Sequence, residues 1–340
     1  MTKAFILKGG RQLRLKRGSF KPSIFLLSLL FPLILLCVGC SHDSVIPADD
    51  PRIQYSGRID HSNPQAMRFD WPGVSITVAF HGNSIGFLLT DAHNGYDVIL
   101  DNRLAAVWFT DSKTTTCFLD HLAPGDHVVK IIKRTEALFG TAIFRGVVLS
   151  EGETLLPAPE LPRRRLEIIG DSYLCGYGVE APTEQCDYPE VYENATKSFG
   201  ILTAESLGTE YHLEAYSGKD YVGDSMTNIT FEKLKYIQDS LTAKGVLFLV
   251  VFAPSQANFY PEYIPDAYHG SPATNYLKGI EAAKRLGVNY IDFNKWFADM
   301  KGKSTYPLYS KAGSHWTTYG AYMAFDSLNG YVEYKLKIVS

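Results

Sequence analysis

The feature that most constrains this chain is a change of hydrophobic period across a segment rich in proline and arginine, Pro157-Ala158-Pro159-Glu160-Leu161-Pro162-Arg163-Arg164-Arg165. Upstream of it, apolar side chains recur at every second position, as in Ile76, Val78 and Phe80, then Ile85, Phe87 and Leu89 after His81-Gly82-Asn83. Such alternation turns one face of each strand into a core and the other to solvent. With turns at Asp101-Asn102 and Pro124-Gly125-Asp126 and no helical stripe, residues 52–155 read as about eight short strands, a β-sandwich of jelly-roll type. Downstream the period lengthens. Phe231, Leu234, Ile237 and Leu241 fall on one helical face, Leu277, Ile280, Ala283 and Leu286 on another, and Ala321, Phe325, Leu328 and Val332 on a third. A further helix is expected over 198–207. These alternate with apolar runs at 166–169, 211–216, 246–252 and 290–293. Strand–helix alternation predicts a three-layer α/β domain over 166–340, with a mostly parallel sheet and helices on both faces. Residues 156–165 are the linker, its arginines solvated.

The N-terminus carries Lys3, Lys8, Arg11, Arg14, Lys16, Arg17 and Lys21 ahead of an apolar run from Ile24 to Val38, closing in Leu36-Cys37-Val38-Gly39-Cys40-Ser41. A charged region, an apolar region and a small residue before cysteine resemble a bacterial lipoprotein signal. Residues 1–40 would then be the signal, Cys40 the lipidated first residue of the mature protein, and 41–51 a tether. The other reading is an uncleaved anchor, because the run is only slightly shorter than a bilayer span. Both place the rest of the chain outside the cytoplasm, held to a membrane of the bacterial cell envelope.

Composition narrows the partners. With 46% hydrophobic and 20% charged residues over 340 positions there is material for a sizeable core, and a net charge of -3 offers no basic surface for nucleic acid. Cys117, Cys175 and Cys186 are the cysteines left after the signal. Their number is odd and their spacing matches neither a zinc motif nor a disulfide framework. Cys175 and Cys186 could bridge across a loop, or Cys175 could be a buried free thiol. No metal and no cofactor are implied.

The chemistry concentrates in Glu167-Ile168-Ile169-Gly170-Asp171-Ser172-Tyr173-Leu174-Cys175-Gly176-Tyr177-Gly178. A serine at the carboxyl end of the first strand of a parallel sheet stands where such folds bind ligands, and backbone N–H groups in the turn can stabilise an oxyanion. A hydroxyl nucleophile needs a base. The candidate is His315, in Gly313-Ser314-His315-Trp316-Thr317-Thr318-Tyr319-Gly320 just before the last helix. Gly223-Asp224-Ser225 repeats the tripeptide without an apolar strand before it and reads as a turn opening a helix. Ser255, in Ala253-Pro254-Ser255-Gln256, reads as structural.

Residues 52–220 resemble the carbohydrate esterases of family two, through Tyr55-Ser56-Gly57-Arg58, Asp70-Trp71-Pro72-Gly73, Lys133-Arg134-Thr135-Glu136 and the SGNH-hydrolase opening Ile169-Gly170-Asp171-Ser172. The resemblance implies a serine esterase that removes O-acetyl groups from polysaccharide. Ser172 would be the nucleophile, with the N–H groups of Ser172 and Gly218 as the oxyanion hole. From Tyr216-Ser217-Gly218-Lys219-Asp220 through Tyr306-Pro307-Leu308 to His315-Trp316, the chain resembles SGNH-like proteins related to alginate O-acetyltransferases. Those carry an aspartate two residues before the histidine, where this chain has Gly313; Ala312 stands three before. A Ser–His dyad follows, its imidazole held by a main-chain carbonyl. The Gly-x-Asn-Asp segment of the superfamily is absent between Tyr216 and Val246, and Asn258 is the available stand-in for its oxyanion asparagine. Two other functions compete: a non-catalytic polysaccharide-binding lipoprotein, and a polysaccharide O-acetyltransferase.

Overall fold

The period-two pattern becomes strands wherever it runs. A computed structural model describes residues 43–91, 93–111, 116–182, 190–218, 228–265, 275–309, 311 and 315–337, all within one compact unit, Ser41–Ser340. Cys40, Cys186, Gly223-Asp224-Ser225, Ala312 and Gly313 lie outside the described residues. The N-terminal part comprises β1 (Ser44–Pro47), β2 (Ile53–Ser56), β3 (Met67–Phe69), β4 (Ser75–Gly82), β5 (Ile85–Thr90), β6 (Gly95–Leu100), β7 (Arg103–Phe109), β8 (Thr116–Leu119), β9 (Gly125–Lys133), β10 (Ala142–Leu149) and β11 (Thr154–Leu155). They form two antiparallel sheets. One runs β1-β10-β5-β8, with β3 also on β10; the other runs β11-β4-β9-β6-β7, with β2 also on β4. Ile76, Val78, Phe80, Ile85, Phe87 and Leu89 all enter a single buried cluster, so the alternating residues are the core. Asp101 and Asn102 both take positive φ (49° and 64°), the two-residue turn that suits a twisted hairpin between β6 and β7.

The expected tether at 41–51 is corrected here, because Ser44–Pro47 is β1, paired antiparallel with β10. Four residues are too few for a period to register. What admits the strand is Gly146: its φ of 133° and a bulge in β10 bring the chains so close that a Cβ would overlap the Ile46 carbonyl oxygen. The linker is shorter than its composition suggested, since Arg165 already pairs with Glu210 in the next ladder.

The second part contains β12 (Arg165–Gly170), α1 (Ser172–Cys175), α2 (Phe199–Ser206), β13 (Glu210–Ala215), α3 (Asn228–Thr242), β14 (Val250–Phe252), α4 (Gln256–Phe259), α5 (Asn275–Leu286), β15 (Tyr290–Asp292), α6 (Phe293–Met300) and α7 (Thr318–Leu336). The expectation of a mostly parallel sheet over this region is corrected. Among the described residues the parallel pairings are two separate two-stranded ladders, β12 with β13 and β14 with β15, while most strands of the chain pair antiparallel. Two physical causes are visible. Residues 246–249, expected as strand, make no ladder, and between 216 and 246 the described residues supply helix α3 and no strand to join the halves. Helices also fail to cover both faces of β12, whose Arg165, Glu167 and Ile169 are exposed, Ile169 by 56%. The segment leading into β14 still has two sides: Leu247, Leu249 and Val251 pack on the cluster that contains Phe293 and Phe297, and Phe248, Val250 and Phe252 on that of Phe231 and Val288.

Candidate active site

The register of the first parallel ladder decides which residues meet. Gly170 pairs with Ala215, and Tyr216 N–H donates to the Gly170 carbonyl at 3.2 Å, so the chain segments bearing Ser172 and Gly218 leave the ladder at the same edge. Asp171 is extended, and its carboxylate accepts the Tyr173 N–H at 3.1 Å, which starts α1 with Ser172 as its first residue. The helix stops after one turn at Gly176, left-handed at φ 67°, where a Cβ would overlap the Asn194 carbonyl oxygen. Ser172 is thereby held on a short, clamped turn.

His315 arrives from the other end of the chain. Thr317 caps α7, its Oγ1 accepting the Gly320 N–H at 3.1 Å and donating to the Pro307 carbonyl at 2.6 Å. Trp316 bridges to Tyr309 and sits among Phe199, Phe293 and Phe297. With its neighbours so anchored, His315 places Nε2 2.5 Å from Ser172 Oγ, across 143 positions of sequence. The Tyr173 ring meets the imidazole edge-on at 4.7 Å between centroids, and the Tyr177 ring lies at 5.7 Å. Burial in this aromatic setting pulls the imidazole down to about 4, so the ring is neutral at pH 7. Residues 312–314, where related proteins carry the orienting aspartate, lie outside the described ones.

Gly218 has a positive φ of 73° and open space where a side chain would be. Ser255 is a helix cap, its Oγ accepting the Asn258 N–H at 3.2 Å. Asn258 itself is exposed on α4, which leaves the oxyanion role considered for it without support. The loop before α4 reaches the site differently, through the Pro254 carbonyl, which accepts the Tyr173 hydroxyl at 2.6 Å. Tyr173 also bonds Tyr309 at 2.6 Å. Reasoning from sequence missed this tyrosine pair, although Tyr173 directly follows the candidate nucleophile. It missed Glu136 as well, whose carboxylate accepts the Ser217 N–H at 2.6 Å. Cys175 is a buried free thiol. Among the described residues no group of three or more His, Cys, Asp or Glu side chains is arranged to hold a metal ion.

Residues 55–159 match the family model described as carbohydrate esterase 2 N-terminal, and residues 219–338 that described as SGNH hydrolase-like domain, acetyltransferase AlgX. An acetylxylan esterase/glucomannan deacetylase of Cellvibrio japonicus is 30% identical over 211 residues, which are 58% of this chain and 58% of that one. The cellulase/esterase CelE of Acetivibrio thermocellus is 32% identical over 181 residues, 52% of this chain and 22% of that one. The chain thus spans little more than half the length of the first relative and less of the second. The structure of a family two carbohydrate esterase from Cellvibrio japonicus superposes with a TM-score of 0.64 at 21% identity, covering 87% of this chain and 99% of that chain, a likeness of fold. In sequence and fold the chain is similar to family two carbohydrate esterases, with an SGNH-hydrolase-like domain behind the β-sheets.

Proposed function

We propose that this chain is a serine esterase that removes O-acetyl groups from a polysaccharide, with Ser172 as nucleophile and His315 as general base. The observation that carries the reading is the 2.5 Å approach of Ser172 Oγ to His315 Nε2 in a setting that keeps the imidazole neutral. The unprotonated Nε2 takes the hydroxyl proton as Oγ attacks the acetyl carbonyl. The N–H groups of Ser172 and Gly218 hold the oxyanion, the sugar alcohol leaves with the proton, and water releases acetate by the same steps in reverse. The name of the 30% identical relative, an acetylxylan esterase/glucomannan deacetylase, supports acetylated xylan or glucomannan as the substrate class.

The β-sheets over 52–155 are a jelly roll in this reading, 166–340 is the catalytic domain, and Cys40 carries a lipid that anchors the protein in the cell envelope. A second reading, O-acetyl transfer to a sugar hydroxyl, draws support from the match of 219–338 to the acetyltransferase model. It uses the same acyl-enzyme and a different acceptor. Hydrolysis of p-nitrophenyl acetate that disappears in Ser172→Ala is the expected result. Turnover unchanged in that variant sinks the nucleophile, and a protein that binds glycan with no turnover is the non-catalytic alternative. Acetylated xylan offered beside an unacetylated acceptor separates hydrolase from transferase.

A further inference from the structure

The segment Lys133-Arg134-Thr135-Glu136 starts at the last residue of β9, and although three of its residues are charged, none is more than 2% exposed. Buried charge requires partners. Arg134 finds Asp97 at 3.1 Å and Glu180, while Lys133 Nζ donates to the carbonyls of Thr135 at 2.5 Å and Glu136 at 3.2 Å. Glu136 is spent otherwise. Its Oε2 accepts the Ser217 N–H at 2.6 Å and lies 3.7 Å from Cys175 Sγ. Its own N–H donates at 2.5 Å to Oε1 of Glu193, a residue 1% exposed. The remaining oxygens, Glu136 Oε1 and Glu193 Oε2, are buried with no hydrogen-bond partner among the described residues. A proton on Glu193 supplies a donor there. Burial, and then the charge of Glu136, pushes Glu193 up to about 8, so the proton is in place at neutral pH.

Ser217 immediately precedes Gly218. We propose that Glu136 is a positioning residue: by holding the Ser217 N–H it fixes the turn that presents the Gly218 N–H to the oxyanion, and Glu193 clamps Glu136 in that pose. The inference rests on the reading of Ser172 as nucleophile and Gly218 as oxyanion donor, and it makes the β-sheet region part of the catalytic apparatus. Glu136 acts through the main chain and touches no reacting atom. The pair is faced by Lys133 and Arg134 from the end of β9 and by Cys175 from α1, with Asp97 and Glu180 beyond Arg134. Lys133 is itself brought down to about 8 by burial and deprotonates in the same range as Glu193.

The test is steady-state hydrolysis of p-nitrophenyl acetate by the full chain between pH 6 and 10. Glu136→Ala lowers kcat about 100-fold with KM little changed, the size of effect expected when a catalytic group is misplaced by about 1 Å. Glu136→Gln keeps an oxygen for the Ser217 N–H and recovers most of that loss. In the unsubstituted protein kcat falls above about pH 8, where Glu193 loses its proton and its donor; Glu193→Gln, whose amide donates at any pH, lacks that fall. Equal kcat in Glu136→Ala overturns the proposal, and so does an alkaline fall that survives in Glu193→Gln, since Lys133 would then own it. Absence of Ser172-dependent turnover in the unsubstituted protein overturns the esterase reading, and this inference with it.

Discussion

The His315 imidazole, pressed against Tyr173 and close to Tyr177, carries a pH signature that follows from its burial. An ordinary histidine base switches off below about pH 6.5, whereas this ring stays neutral down to about 4. Esterase kcat/KM is therefore expected to hold through pH 5 and to fall as the pH approaches 4, read from a pH–rate profile. The same depression is linked to stability. Between about 6.5 and 4 the unfolded chain binds a proton at this histidine that the folded one does not, so its contribution is intact above 6.5 and is lost as pH falls toward 4. Urea midpoints of the unsubstituted protein and His315→Gln should converge toward pH 4 if the other changes are equal, the variant being the less sensitive to acid. Removing either partner of the 2.5 Å pair, as Ser172→Ala or His315→Ala, should cost at least about 10³ in kcat, as the loss of a nucleophile or base does in serine proteases.

Among the elements, α1 and α7 set the geometry, one by where it ends and the other by where it begins. Gly176 closes α1 in a left-handed turn against the Asn194 carbonyl, a place that tolerates no Cβ. Gly176→Ala should therefore cost more than about 1 kcal/mol and lower kcat, since α1 carries Ser172. Thr317 caps α7 two residues after His315. Thr317→Ala should cost about 1 kcal/mol of stability by denaturant unfolding, and Thr317→Ser, which retains the hydroxyl, less. Ile76, Val78 and Phe80 of β4, Ile85, Phe87 and Leu89 of β5 and the stripe of α7 were legible because each element shows its own period, whereas Ile237 of the α3 stripe and Leu277 of the α5 stripe are exposed. β1 was not legible, since four residues hold no period and its place depends on a bulge in β10 more than 90 positions later, at Gly146.

Over the whole molecule, the β-sheet region and the α/β region are joined through buried charge. Arg134 sits between Asp97 of β6 and Glu180 beyond α1, and its carbonyl accepts the Ala195 N–H at 3.0 Å. Arg134→Ala takes the counter-ion from buried Asp97, to which Asn194 and Thr196 still donate, while Glu180 keeps Lys197, and should cost about 3 kcal/mol. A lowered denaturant midpoint, with the two regions unfolding in separate steps, is the expected outcome. At the other end of the chain, the proposed lipid attachment makes Cys40→Ala release the protein from the membrane fraction. Retention of the variant would favour the uncleaved anchor.

The sequence by itself determined the change of architecture after residue 155 and the two local motifs that carry Ser172 and His315, because periodicity, capping and strand–turn–helix signals act within about ten residues. Only the tertiary structure decided the rest. Whether Ser172 and His315 meet depends on packing around Trp316 across 143 positions, and the parallel strands form two ladders because no described strand joins them. That Glu136 of the β-sheet region reaches the Ser217 N–H is equally unreadable from its motif. A hydrogen bond between residues 81 positions apart exists only when the assembled fold brings them together, and here it is the buried Glu136 that the fold carries to Ser217.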